Sequence, residues 1–188
     1  LRHQATCDQD TLCSLTNHSY FNLSGHDSGF ALNQEIQLHA TYYTPTDEGN
    51  IPLGQLDAVA DTPMDLRTLG PIDTPARRNA PVLQIFRGFD HNYAIDGSVG
   101  PLRPAVAAYS PETGIRMEMS TTLPGIQFYT GNFLFEEPGK GGCVYLHRAG
   151  ICFETQYYPD SLNHPNFPSS VYRAGEIYRT STIFKFLK

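Results

Sequence analysis

The sequence has no tryptophan, only four cysteines in 188 residues, and no block of lysine or arginine. The 13 basic residues against 19 acidic ones leave a formal net charge of -6, so nothing is set to neutralise a row of phosphates, and nucleic acid is not an expected partner. No stretch approaches the roughly 18 apolar residues that span a bilayer, and the first residues lack a charged segment leading into an apolar one. A soluble, cytoplasmic protein with no membrane partner is the expectation. Cys7, Cys13, Cys143 and Cys152 form no CxxC pair and are too sparse for a disulfide scaffold, so free thiols are expected. The histidines do not stand at familiar zinc spacings, and no GxSxG elbow, Walker loop or Rossmann glycine fingerprint occurs. Neither a metal nor another cofactor is signalled.

What is present is aromatic residue, glycine and proline. Eleven Phe and eleven Tyr give a composition that packs a core, and the length suits one domain. The 16 glycines and 14 prolines recur at short intervals and leave no stretch with a sustained 3.6-residue period. Helices should be scarce. Period-two alternation is common instead: Ile36, Leu38, Ala40 and Tyr42 are expected on one face, as are Ile115, Met117 and Met119, and Tyr178, Thr180, Thr182, Phe184 and Phe186. "VAAYSPETGIRMEMST" predicts a hairpin with turn chemistry in "SPETG". Residues 44–81 predict a long ordered excursion over a sheet, with at most one short helix in "DTPMDLRTLGP". Many short strands between turns indicate an all-β, antiparallel sandwich or barrel.

Four segments carry candidate chemistry. In "LTNHSYFNLSG", His18 sits in an apolar and aromatic run, as either a satisfied core histidine or a proton donor in a pocket. In "GICFETQYYPD", Glu154 ends an apolar strand, where an unpaired carboxylate is costly unless a partner compensates; it is either structural or a base. "FRGFDHNYAID" sets Asp90 and His91 between Phe89 and Tyr93, which also reads as a capped turn, and "LPGIQFYTGNF" places Gln127 within an aromatic strand. Amides and carboxylates among aromatic rings suit a sugar, whose hydroxyls need polar partners and whose C–H faces need apolar ones.

These stretches, with "DTPMDLR" and the closing run from Glu154 to Phe186, resemble the C-terminal half of the aldose 1-epimerase (galactose mutarotase) family, in order and over nearly the whole chain. The resemblance implies a cofactor-free, large antiparallel β-sandwich that interconverts the α and β anomers of free hexoses such as galactose and glucose. It implies His18 as general acid, Glu154 as general base, and Asp90 and Gln127 as substrate-binding residues; His91 is left structural. On this reading residues 1–188 are the C-terminal portion of one sandwich domain. The family's N-terminal half, which brings an arginine and a second histidine to the site, would precede Leu1 or be replaced by self-association. Two alternatives stand beside it. One is a carbohydrate-binding sandwich without turnover. The other is a hexose-phosphate 1-epimerase, for which Arg67, Arg77, Arg78 and Arg87 could be proposed as a phosphate pocket.

Overall fold

The computed structural model describes all 188 residues. Two six-stranded sheets, antiparallel at every pairing, dominate it. The first runs from edge to edge through Arg2–Thr6, Ile177–Leu187, Arg116–Thr121, Arg103–Tyr109, Glu35–Leu38 and Gly70–Pro71. The second runs through Tyr20–Phe21, Ile151–Gln156, Gly125–Tyr129, Asp90–Ala94, Tyr42–Tyr43 and Asp57–Ala58. No helix is long and apolar enough to cross a membrane, and the four cysteines are free.

The sheets share one core. Ile36, Leu38, Val106, Met117 and Met119 from the first meet Tyr93, Ile126, Phe128, Ile151 and Phe153 from the second. Phe128 stacks on Phe153 with ring centroids 5.4 Å apart, and Phe89 packs against Phe128 at 5.0 Å. Burying each such ring contributes about 1.5–3 kcal/mol. The polar contacts between sheets are satisfied: the Thr182 hydroxyl is 2.8 Å from that of Thr155 and 3.1 Å from that of Thr121, and all three side chains are buried.

The expected hairpin forms between Arg103–Tyr109 and Arg116–Thr121, closed by Ser110 N–H donating to the Ile115 carbonyl at 2.9 Å. Its register shifts between Met119 and Ser120, because Ser120 pairs with Pro104, which has no N–H to give to the ladder. One expectation is corrected. The chain leaves the first sheet after Leu38, and Thr41 donates its N–H and hydroxyl to the Asp96 carboxylate at 2.9 and 3.1 Å; Tyr42 therefore joins the second sheet and is exposed rather than sharing a face with Ile36. The segment 61–71 holds no helix, within the expectation of at most one, and its turns lead into the strand Gly70–Pro71. The short helices fall at Pro75–Arg78 and Pro81–Gln84, each with a proline in its first turn, and the Thr74 hydroxyl accepts from Arg77 N–H.

On Ile177–Leu187 the expected face holds but its burial fades. Tyr178, Thr180 and Thr182 are buried, Phe184 is half-buried and Phe186 is exposed. The outer strand Arg2–Thr6 pairs with this last strand and with no other, its register running from Arg2 opposite Ser181 to Thr6 opposite Ile177.

Candidate active site

Side chains alternate across the second sheet, so register alone decides which groups meet. Gln127 pairs with both Glu154 and Asn92, and Tyr129 pairs with Cys152 and Asp90. Asp90, Asn92, Gln127, Tyr129, Cys152, Glu154 and Gln156 thus share the face turned away from the core. Tyr20 pairs with Cys152 at the sheet edge, and continuing that register two residues back sets His18 opposite Glu154. His18 Nε2 lies 3.3 Å from Glu154 Oε1.

All four residues singled out in the sequence, His18, Glu154, Asp90 and Gln127, line one cleft of about 450 Å³, with Tyr20, Tyr129, Phe133 and Gln156 among its walls. Gln127 Nε2 donates to Asp90 Oδ1 at 2.8 Å, and Gln156 Nε2 donates to Gln127 Oε1 at 3.4 Å. This chain of amides aims Gln127 at the carboxylate and leaves the other Asp90 oxygen available. The His18 ring packs beside Tyr20 at 5.1 Å and edge-on to Tyr129 at 6.2 Å. Burial pushes the Glu154 carboxyl above its ordinary range, the His18 charge pulls it back, and the Asp90 charge raises it. Asp90 is likewise raised by burial, against the Gln127 hydrogen bond and the His18 charge. Each carboxylate is therefore a stronger proton acceptor than one in water. His18 is the more open member of the pair, its side chain 49% exposed against 12% for Glu154.

His91, next to Asp90 in sequence, points to the opposite face and is buried against Phe86 and Tyr43. Its Nδ1 accepts from Asp90 N–H at 3.1 Å, and burial lowers its pKa to about 4, so the ring is neutral. His18, Cys152 and Glu154 offer ligand atoms within 4.8 Å of one another and are the residues here that could hold a metal. Burial and the neighbouring carboxylates push the Cys152 thiol up, which opposes the thiolate a metal requires. The Cys152 thiol, fully buried, therefore stays protonated beside the His18–Glu154 pair.

Gln156, Asn92, Tyr20 and Tyr129 were not singled out from the sequence. The signal was available in the i, i+2 spacing of Cys152, Glu154 and Gln156 and of Asp90 and Asn92. The arginines considered for a phosphate pocket lie elsewhere: Arg67 is paired with Asp65, while Arg77, Arg78 and Arg87 line a separate cavity that shares no residue with the cleft.

Comparison with known proteins agrees with this geometry. A family model described as Aldose 1-epimerase matches residues 1–185. Galactose mutarotase from Homo sapiens is 41% identical, with 99% of this chain covering 53% of that protein, and aldose 1-epimerase from Escherichia coli (strain K12) is 33% identical over 100% of this chain and 54% of that one. Among solved structures, an aldose epimerase homologue from C. elegans superposes with a TM-score of 0.86 at 26% identity, covering 99% of this chain and 55% of that chain. Galactose 1-epimerase from Lactobacillus acidophilus NCFM gives 0.81 at 25% identity, with 99% and 52% coverage. The chain spans about half the length of the relatives it matches. With the whole of its matched length carrying this sheet pair and this cleft, the chain belongs to the aldose 1-epimerase family.

Proposed function

We propose that the cleft interconverts the anomers of a free hexose, galactose or glucose, by acid and base groups acting on one carbon. The observation that carries this reading is the 3.3 Å approach of His18 Nε2 to Glu154 Oε1. Opening a cyclic hemiacetal takes a proton from the anomeric hydroxyl and gives one to the ring oxygen. Those two oxygens are bonded to the same carbon, so the acid and the base must stand side by side.

Glu154, ionised and strengthened as a base by its burial, accepts the hydroxyl proton while His18, protonated, donates to the ring oxygen. The ring opens to the free aldehyde, rotation about the bond between the first two carbons presents the other carbonyl face, and the steps run backwards. No net proton is consumed. Asp90, oriented by Gln127, accepts from sugar hydroxyls away from the reacting carbon, and the aromatic walls cover the C–H faces.

Polarimetry of freshly dissolved α-D-galactose, read as the rate above buffer, tests this with the parent chain and with Glu154→Gln and His18→Asn. The parent accelerates the change, and each variant loses on the order of 10² to 10⁴ in rate. Equal rates in parent and variants would remove both residues from the mechanism. A folded parent that binds galactose without accelerating its mutarotation would establish the binding module instead.

A further inference from the structure

A second cavity, of about 220 Å³, has an unusual charge balance for a chain of net charge -6. Arg77, Arg78, Arg87 and Arg148 line it, with Asp73 as the one acid in the wall. Asp73 is already committed, accepting from Arg78 Nε at 2.7 Å and from its Nη2 at 2.8 Å. Arg77 is tied to the backbone carbonyls of Pro63, Asp65 and Pro71 and meets no carboxylate. The Arg87 guanidinium makes no hydrogen bond within the protein and lies 6.0 Å from the Phe133 ring centre. Arg148 gives one Nη2 bond to the Arg87 carbonyl, while its Nε is buried with no partner at all. Buried donors are almost always paired, so this one calls for an acceptor.

The backbone holds these groups in place. Arg87 and Arg148 both adopt left-handed conformations, at φ 59° and 60°, which cost a non-glycine residue on the order of 1 kcal/mol. The turn after Arg87 is pinned where Phe89 N–H donates to Thr130 Oγ1 at 3.0 Å and Asn132 Nδ2 donates to the Phe89 carbonyl at 2.9 Å. A Cβ at Gly88 would lie 2.3 Å from Asn132 Oδ1, so no other residue fits beside Arg87. Spare guanidinium donors therefore converge from the first short helix, the turn after the second and the loop before Ile151. Donors approaching from three directions match a tetrahedral oxyanion, whereas a carboxylate is satisfied by a single fork.

We propose that this cavity, outside the sugar cleft, is a binding site for a phosphate-type dianion, as inorganic phosphate or the head of a small phosphomonoester. The volume admits such a group and not a nucleotide. Isothermal titration calorimetry tests it, with inorganic phosphate and methyl phosphate as probes and sodium chloride holding the ionic strength constant. The expected result is one saturable site for either probe, weakened about tenfold or more in Arg87→Gln and in Arg148→Gln and unchanged in Arg179→Gln, a substitution at an exposed position of the last strand. Circular dichroism melts show which variants are folded. Should Arg148→Gln unfold, Arg87→Gln decides alone, since its guanidinium bonds to nothing in the fold. The absence of saturable heat in the folded parent, or unchanged affinity in the folded variants, would overturn the proposal.

Discussion

The two faces of the second sheet are built from the same few strands, one residue out of step, and they differ in almost every physical respect. On the core face His91, Tyr93, Ile126, Phe128, Ile151 and Phe153 are dry. Burial holds their two titratable rings, His91 and Tyr93, neutral there. On the cleft face Asp90, Gln127, Glu154 and Gln156 are half-buried and bonded to one another or to His18. Burial raises both carboxyls without removing the positive partner that favours their charge. One face fixes the backbone and the other uses the position so fixed, which is why a residue as close to the cleft as His91 can be wholly structural.

The contrast can be broken from the core side first. Phe128→Ala removes the ring between Phe89 and Phe153 and should cost about 3–5 kcal/mol in urea unfolding. Because Phe128 lies between Gln127 and Tyr129 on one strand, the variant should also lose sugar affinity even though it touches no sugar.

His91 comes next. Its folded pKa of about 4 against 6.5 when free means that the unfolded chain binds the extra proton, so stability is complete above pH 6.5 and falls as the pH drops towards 4. The gap corresponds to about 3 kcal/mol, and His91→Gln should abolish most of that acid dependence in urea midpoints compared at pH 7 and pH 4.5. Asp90 and Glu154 have the opposite sign. Their raised carboxyls destabilise the fold when ionised and relieve it as the pH falls through their folded pKa values.

Asp90→Asn should raise KM for galactose roughly tenfold, the worth of a hydrogen bond to a charged group, with little change in kcat. A fall in kcat alone would place Asp90 in the chemistry instead. Smallest is a gain: Glu154→Gln should stabilise the folded chain at neutral pH by ~0.5–1 kcal/mol in the same urea assay while removing the proposed base, as expected where a site keeps a costly charge for function.

Much of this arrangement was legible in the residues. Alternation along Met117 and Met119 and turn chemistry at "SPETG" located the hairpin, because local patterning and turn geometry decide it. His18, Glu154, Asp90 and Gln127 stood out as polar groups in apolar company, and the cleft gathers all four. The partners Gln156 and Asn92 did not, since an amide on a strand means nothing until the neighbouring strand's register is known. Tyr42 misled because the alternation beginning at Ile36 continues unbroken while the chain changes sheets, a change made by the distant Asp96 carboxylate. The arginines at 77, 78, 87 and 148 are scattered in sequence, and only the fold brings them to one cavity.

The pairing of Arg2–Thr6 with Ile177–Leu187 bears on how the chain is made. Leu1 and Thr182 exchange hydrogen bonds of 2.8 and 2.9 Å across 181 positions of sequence. A contact of that span closes a very long loop and belongs to the slow end of folding. During synthesis the segment at Arg2–Thr6 leaves the ribosome well before its partner and waits, with its hydrogen-bonding groups open, until Ile177–Leu187 arrives. The first sheet is completed only after translation has passed Leu187, and any chaperone that shields an unpaired strand of this sheet has its longest task at Arg2–Thr6.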